Sequence, residues 1–308
     1  MTQPLKVSNS ELQTFKDCRR RWWLTYFRRL QPREKQMVGP LALGTRIHSA
    51  FEQYYANGVP LLDAHAELVE RDKQLLIEGF RDTVDLQSEA ELGRIMLEGY
   101  LGWVEENGID AELEFISSEE VVSATLLDGQ VELQGKLDMR VRRKADGVRM
   151  FRDFKTVGGS FADFTSMAHM NEQVLTYMLL EAQKKDETER CDGGIFTMLR
   201  KVKRTANARP PFYDQIEVRH NIFSLRSFWN RIHGTITDLL RVRKGLEEGG
   251  DHTTLAYPRP SRDCKWKCQF FAVCPLLDDG SAAEQAISEM YVVDDPYGYY
   301  KSETKGNE

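Results

Sequence analysis

Three side chains in one short stretch could do chemistry together. Asp138, Asp153 and Lys155 fall within Gly135 to Thr156, which reads GKLDMRVRRKADGVRMFRDFKT. Two carboxylates brought close repel each other unless a cation lies between them. A divalent ion removes that repulsion and lowers the pKa of a bound water enough to yield a hydroxide nucleophile. A lysine beside it can orient that water or stabilise charge on a phosphoryl oxygen. The plainer alternative is an exposed ion pair on a polar sheet face, because Asp-x-Lys is common in strands.

The local pattern says how these groups would be positioned. Val131, Leu133, Leu137, Met139 and Val141 alternate with Gln134, Lys136, Asp138 and Arg140, the period of a half-buried strand. Asp146-Gly147 is a turn signal, and a second strand over 148–156 sets Arg149, Phe151, Asp153 and Lys155 on one face. A four-residue loop over 144–147 would place Asp138 opposite Asp153; a turn at Asp146-Gly147 alone would place it opposite Lys155. Both registers bring the three groups within cross-strand reach. Two helices could add to the patch. One, from Leu41 to Asn57, carries Gly44, His48 and Glu52, with the last two sharing a face. The other, Met170 to Gln183, carries Gln173 and Tyr177 four residues apart. Either pair, taken alone, reads equally as ordinary structural residues.

The remaining chain supplies cover and a second constellation. Ser8-Asn9-Ser10-Glu11 is a capping-box signature for a helix bearing Leu12, Phe15, Trp22, Trp23 and Phe27, with Arg19, Arg20, Arg21, Arg28 and Arg29 interleaved. Such a mixture suits a phosphate backbone with stackable bases, or a core-facing helix whose arginines are solvated. Helices are predicted over 61–80, 86–107 and 222–248, and strands over 112–127, 193–202 and 212–219. The facing of Glu119 and Glu120 stays open. Lys201 and Lys203 lie in a basic loop that could meet nucleic acid or water. Cys191 reads as a small buried hydrophobe. Near the C-terminus, Cys264, Cys268 and Cys274 form C-x3-C-x5-C with Pro275 following; Cys18 is the candidate fourth thiolate, for an iron–sulfide cluster or a zinc ion.

Composition narrows the class. The 308 residues are 41% hydrophobic and 29% charged, with five cysteines and a net charge of −6. No apolar run is long enough to span a bilayer and no signal peptide precedes Leu5, so a cytoplasmic location is expected. An odd cysteine count without an export signal favours metal ligation over disulfides. The acidic balance excludes a generic nucleic-acid coat but not a local basic groove.

The ordered set Cys18, Gly44-x3-His48, Gly135-Lys-Leu-Asp138, Asp153-Phe-Lys155, Gln173-x3-Tyr177 and Cys264, Cys268, Cys274 resembles the RecB-type branch of the PD-(D/E)XK nucleases. Within it, the chain is similar to the iron–sulfur exonucleases: the CRISPR-associated RecB-like exonucleases and the AddB nuclease domain. Bacteriophages carry similar stand-alone versions. The resemblance implies an α/β (α+β) restriction-endonuclease-like core, with a central mixed sheet flanked by helices, a helical insertion and an iron–sulfur staple joining the chain ends. It implies one nuclease domain over 1–280, with helical cover over 41–110, a catalytic core over 112–220 and a flexible polar tail over 281–308. His48, Asp138 and Asp153 then resemble ligands of Mg²⁺ or Mn²⁺, with the Phe154 carbonyl as an addition. Lys155 resembles the catalytic lysine, and Gln173 and Tyr177 the motif that supports the site and contacts DNA. Arg19, Arg20, Tyr177, Lys201 and Lys203 are the expected DNA contacts. Cys18, Cys264, Cys268 and Cys274 resemble ligands of a [4Fe–4S] cluster, zinc being the second choice. One spacing departs from the family: three residues separate Cys264 from Cys268, where two are usual. The implied activity is metal-dependent exonucleolytic cleavage of DNA, on single-stranded ends, in recombination, repair or processing, with a recombination or CRISPR-adaptation protein as partner. The alternative is a non-catalytic DNA-binding or assembly subunit with a structural cluster.

Overall fold

The computed structural model describes residues 3–34 and 36–300. The chain opens with β1 (Leu5–Ser8) and α1 (Asn9–Asp17). Ser8 Oγ accepts the Glu11 N–H at 3.2 Å, capping the helix as its sequence predicts. The helix expected to continue to Phe27 instead breaks at Cys18, where the backbone turns extended, and restarts as α2 (Arg19–Trp22) and a π-helical turn over Trp23–Phe27. A short β2 (Leu30–Pro32) lies where a connector was expected. Next come α3 (Pro40–Asn57), α4 (Leu61–Glu78) and α5 (Val84–Asn107). The first starts on a proline and stops at Gly58 with φ 69°, a left-handed cap that suits glycine.

Three long strands follow: β3 (Leu113–Leu126), β4 (Val131–Arg143) and β5 (Arg149–Val157). They lead to α6 (Phe161–Ala168), which the sequence pattern did not predict, and α7 (Glu172–Glu181), capped by the Asn171 side chain. Then come β6 (Gly194–Arg200), β7 (Tyr213–Val218) and the long α8 (Ile222–Glu247). Two single turns, α9 (His252–Leu255) and α10 (Cys264–Lys267), precede α11 (Ala283–Met290) and β8 (Tyr291–Val293).

The sheet is mixed, in the order β1-β4-β5-β6-β7, with β3 also on β4. The β1–β4 and β5–β6 pairs are parallel; β4–β5 and β6–β7 are antiparallel. The central hairpin takes the longer of its two predicted loops: the Arg143 N–H reaches the Val148 carbonyl at 2.9 Å, across residues 144–147. The ladder reaches Met139↔Arg152, and one further step sets Asp138 opposite Asp153.

The chain divides into two compact units. One comprises Gln36–Val122 and Lys136–Leu225; the other comprises Met1–Lys35, Ser123–Gly135 and Arg226–Glu308. The first is centred on Ile47, Phe51, Leu97, Tyr100, Met139, Met150, Phe154 and Leu199. Phe51 of α3 stacks on Phe154 of β5 with ring centres 3.9 Å apart, which fixes that helix against the strand bearing Asp153 and Lys155. In the second unit β2 pairs antiparallel with β8, joining the two ends of the chain. Beyond residue 281, Ile287 and Tyr291 are buried, and the Tyr291 hydroxyl donates to the Gln269 carbonyl at 2.7 Å. Residues 301–308 lie outside the described residues. Among the described residues no helix is long and apolar enough to cross a membrane.

Candidate active site

All six side chains singled out for the active site lie in the unit built from 36–122 and 136–225. Helix α3 supplies His48, β4 supplies Asp138, β5 supplies Asp153 and Lys155, and α7 supplies Gln173 and Tyr177. His48 Nδ1 is 2.9 Å from Asp138 Oδ2, and Lys155 Nζ is 2.8 Å from Asp153 Oδ2. Gln173 bridges the second pair. Its Oε1 accepts from Lys155 at 3.0 Å, while its Nε2 donates to Asp153 Oδ1 and to the Tyr177 hydroxyl, both at 3.0 Å. Tyr177 in turn donates to the Lys136 carbonyl at 2.6 Å, closing a chain from α7 back to β4. The i, i+4 spacing of Gln173 and Tyr177 is what lets one helix turn present both. Gly44, one turn before His48, has a sequence-based reading as a close-approach position; a side chain there would press within 3.3 Å of Thr156 Oγ1 on β5.

The charges are strongly coupled. Burial opposes a charged His48, but the hydrogen bond and charge of Asp138, with Asp153 adding, outweigh it and raise the imidazole pKa. Burial likewise opposes ionisation of Asp138, yet His48 and Lys155 hold its pKa below the usual range. Asp153 is raised, because burial and the Asp138 charge outweigh the attraction of Lys155. The Lys155 ammonium is buried too, and Asp153 more than offsets that, raising its pKa.

His48, Glu52, Glu119 and Asp138 line a pocket, floored by Phe51, Met139 and Phe154, with about 230 Å³ of empty space including its open mouth. Asp138 Oδ2 and Asp153 Oδ2 are both buried, and each meets one cationic partner, His48 Nδ1 and Lys155 Nζ respectively. Buried carboxylate oxygens cost free energy unless a cation or donor meets them. Two such oxygens plus an imidazole are a donor set that suits a divalent ion. Among the described residues no three His, Cys, Asp or Glu side chains converge on a single ion point; here His48 and Lys155 supply the balancing charge.

Cys18, Cys264, Cys268 and Cys274 all fall in the other unit and form no disulfide. Cys18 Sγ accepts the Arg259 N–H at 3.4 Å and Cys264 Sγ the Ser261 N–H at 3.3 Å. Burial raises the Cys268 thiol, and Cys18 and Cys264 are close enough to raise it further; Cys274 is raised by burial and by Cys18 and Cys268. Cys268 is thus an electrostatic neighbour of Cys18, Cys264 and Cys274, yet among the described residues no three such side chains are placed to hold a metal ion.

The remaining expected positions have the following surroundings. Arg20 is 1% exposed and makes a two-pronged pair with Asp278 at 2.6 and 2.8 Å, so it is not presented to a ligand. Arg19 pairs with Asp238 and Arg28 with Glu284. Arg19, Arg20 and Arg28 of the N-terminal basic cluster are thus paired within their own unit with acidic residues from distant sequence. Trp22 and Trp23 are core, as expected. Tyr177 is buried, its hydroxyl used internally. Lys201 is half-buried, which lowers its pKa, and Lys203 is exposed, 3.3 Å from Ser88 Oγ. Cys191 is buried but not merely apolar: Arg140 donates to its sulfur at 2.9 Å.

Sequence reasoning missed an ionic network beside the site. Buried Arg140, two residues beyond Asp138, donates to Glu181 at 2.8 Å and to Glu120 at 2.9 and 3.0 Å. Glu119 pairs with Lys136. The alternation of Lys136, Asp138 and Arg140 was a usable signal: a buried-strand face with two cations needs two anions opposite.

Comparison with known proteins gives the family of the chain. The model of the PD-(D/E)XK nuclease superfamily matches residues 6–275, and this chain belongs to that superfamily. No curated protein sequence matches the chain. Among solved structures, it is similar to a candidate exonuclease from Eubacterium rectale at 13% identity and a TM-score of 0.47, covering 77% of this chain and 81% of that one. It is also similar to the protein SSO0001 at 13% identity and a TM-score of 0.36, covering 89% of this chain and 88% of that one.

Proposed function

We propose that the chain is a metal-dependent DNA exonuclease acting on single-stranded ends. The observation that carries this reading is the convergence of Asp138, Asp153, Lys155 and Gln173 on one sheet face, with a buried oxygen on each aspartate held beside a cationic side chain. His48, Asp138 and Asp153 would hold Mg²⁺ or Mn²⁺, and the imidazole favours the latter. When bound, such an ion polarises a phosphodiester and lowers the pKa of an attacking water. The chain's own residues do the positioning. Gln173 fixes the Lys155 side chain through its carbonyl while holding Asp153 through its amide, so ammonium and carboxylate keep their relative geometry. An ammonium held there can stabilise charge on a phosphoryl oxygen or orient the water. Tyr177 anchors Gln173 to the strand that carries Asp138.

The four cysteines would hold a [4Fe–4S] cluster as a structural element of the other unit. The test is one anaerobic preparation, assayed for iron, sulfide and zinc, then given Mn²⁺ with linear or circular single-stranded DNA. Shortening of the linear strand, an untouched circle and stoichiometric iron with sulfide are expected. Equal cleavage of the circle would remove the end-dependent reading, and zinc without sulfide would replace the cluster.

A further inference from the structure

Glu119 has φ 52° inside β3, a left-handed backbone that a non-glycine residue rarely adopts within a strand. Neighbouring side chains in a regular strand point to opposite faces. Here Glu119 pairs with Lys136 and Glu120 with Arg140, and those partners lie on the same face of β4 as Asp138. The kink therefore acts as a bulge, turning two consecutive carboxylates to one side. Strained backbone of this kind persists where the surroundings hold it, often at functional sites.

Its product is an ammonium at the rim of the active site. Lys136 is two residues from Asp138, and its carbonyl is fastened by Tyr177 to the network that holds Lys155 and Asp153. Glu119 lines the same pocket as His48 and Asp138. Both side chains keep some contact with solvent, 14% exposed for Lys136 and 23% for Glu119. A phosphodiester oxygen offers an ammonium the same charge-assisted acceptor that a carboxylate does. Resting on the nuclease reading, we infer that Lys136 is a phosphate-binding residue of the active site, held in place by Glu119, which takes a backbone phosphate next to the scissile one. Lys155 serves the reacting phosphate; Lys136 serves the neighbour and sets the affinity for the strand.

The test measures binding of a fluorescent single-stranded oligonucleotide in EDTA over a range of salt, then cleavage with Mn²⁺. Lys136→Met should raise Kd about tenfold and reduce the slope of log affinity against log salt by about 0.7, the value of one phosphate contact on a single strand. In cleavage the loss should fall on KM rather than kcat. Lys136→Arg should restore both affinity and slope, and Glu119→Gln should weaken binding by releasing the ammonium that Glu119 positions. If the pair only fastens β3 to β4, Lys136→Met leaves Kd and slope unchanged, and the inference is overturned. An unchanged Kd in Glu119→Gln overturns the holding role independently of how Lys136→Met folds. A wild type that neither binds nor cleaves DNA overturns the nuclease reading, and this one with it.

Discussion

Glu11 shows how much a single buried carboxyl can control. It accepts a hydrogen bond from Trp22 Nε1 at 2.8 Å and another from the Tyr297 hydroxyl. Burial, only partly countered by Trp22 and the Arg243 charge, pushes its pKa from 4.5 up to about 7. Between those values the folded protein keeps a proton that the unfolded chain has lost. The group's contribution is therefore complete below pH 4.5 and declines as pH rises towards 7. We expect the stability difference between wild type and Glu11→Gln to move against the wild type by about 3 kcal/mol from pH 4.5 to pH 8, as a shift of this size implies. Denaturant melts at both pH values check this, and a pH-independent difference would contradict it. The sequence showed Glu11 only as a capping-box member. Its other role depends on Tyr297, far along the chain, and such a pairing leaves no local signature. By contrast, Asp138, Asp153, Lys155, Gln173 and Tyr177 were legible because local periods of two and four fix which way each side chain faces.

At the scale of elements, α7 is the one the site depends on most. It brings Gln173 and Tyr177 to the sheet through its first turns and is pinned near its end by Glu181, buried against Arg140 of β4. A buried guanidinium serving two carboxylates is costly to break because each partner is left uncompensated. Arg140→Met should cost about 3–5 kcal/mol and lower the melting temperature. A calorimetric change below about 1 kcal/mol would show that α7 is held by apolar packing alone. The central hairpin and α3 were readable from alternation, turn residues and a glycine stop. Two other features were not. Strand β1 has four residues and owes its form to parallel pairing with β4. The break at Cys18 interrupts an unbroken amphipathic pattern and carries no proline or glycine.

At the scale of the whole molecule, charge is balanced between segments far apart in sequence. The arginines after Cys18 and the acidic residues beyond Cys274 looked like a DNA-binding helix and a solvated tail. They are each other's partners: Arg20 with Asp278, Arg28 with Glu284 and Arg29 with Asp295. Removing everything after Ala282 would expose the apolar surface under Ile287 and Tyr291 and strip β2 of its partner strand. We therefore expect that truncation to reduce soluble yield and melting temperature; a truncated protein as stable as the full chain would refute it. The same unit carries the four cysteines, so its ends are already joined by protein contacts, and a cluster there would reinforce that join.

The measurement that bears most directly on the account is single-turnover cleavage of end-labelled single-stranded DNA in Mn²⁺ by wild type and Lys155→Ala. The account predicts cleavage by the wild type, abolished by chelation, and a rate loss of about a hundredfold or more in the variant with its melting temperature retained. Wild-type rates in folded Lys155→Ala, or no cleavage by intact wild type, would contradict it.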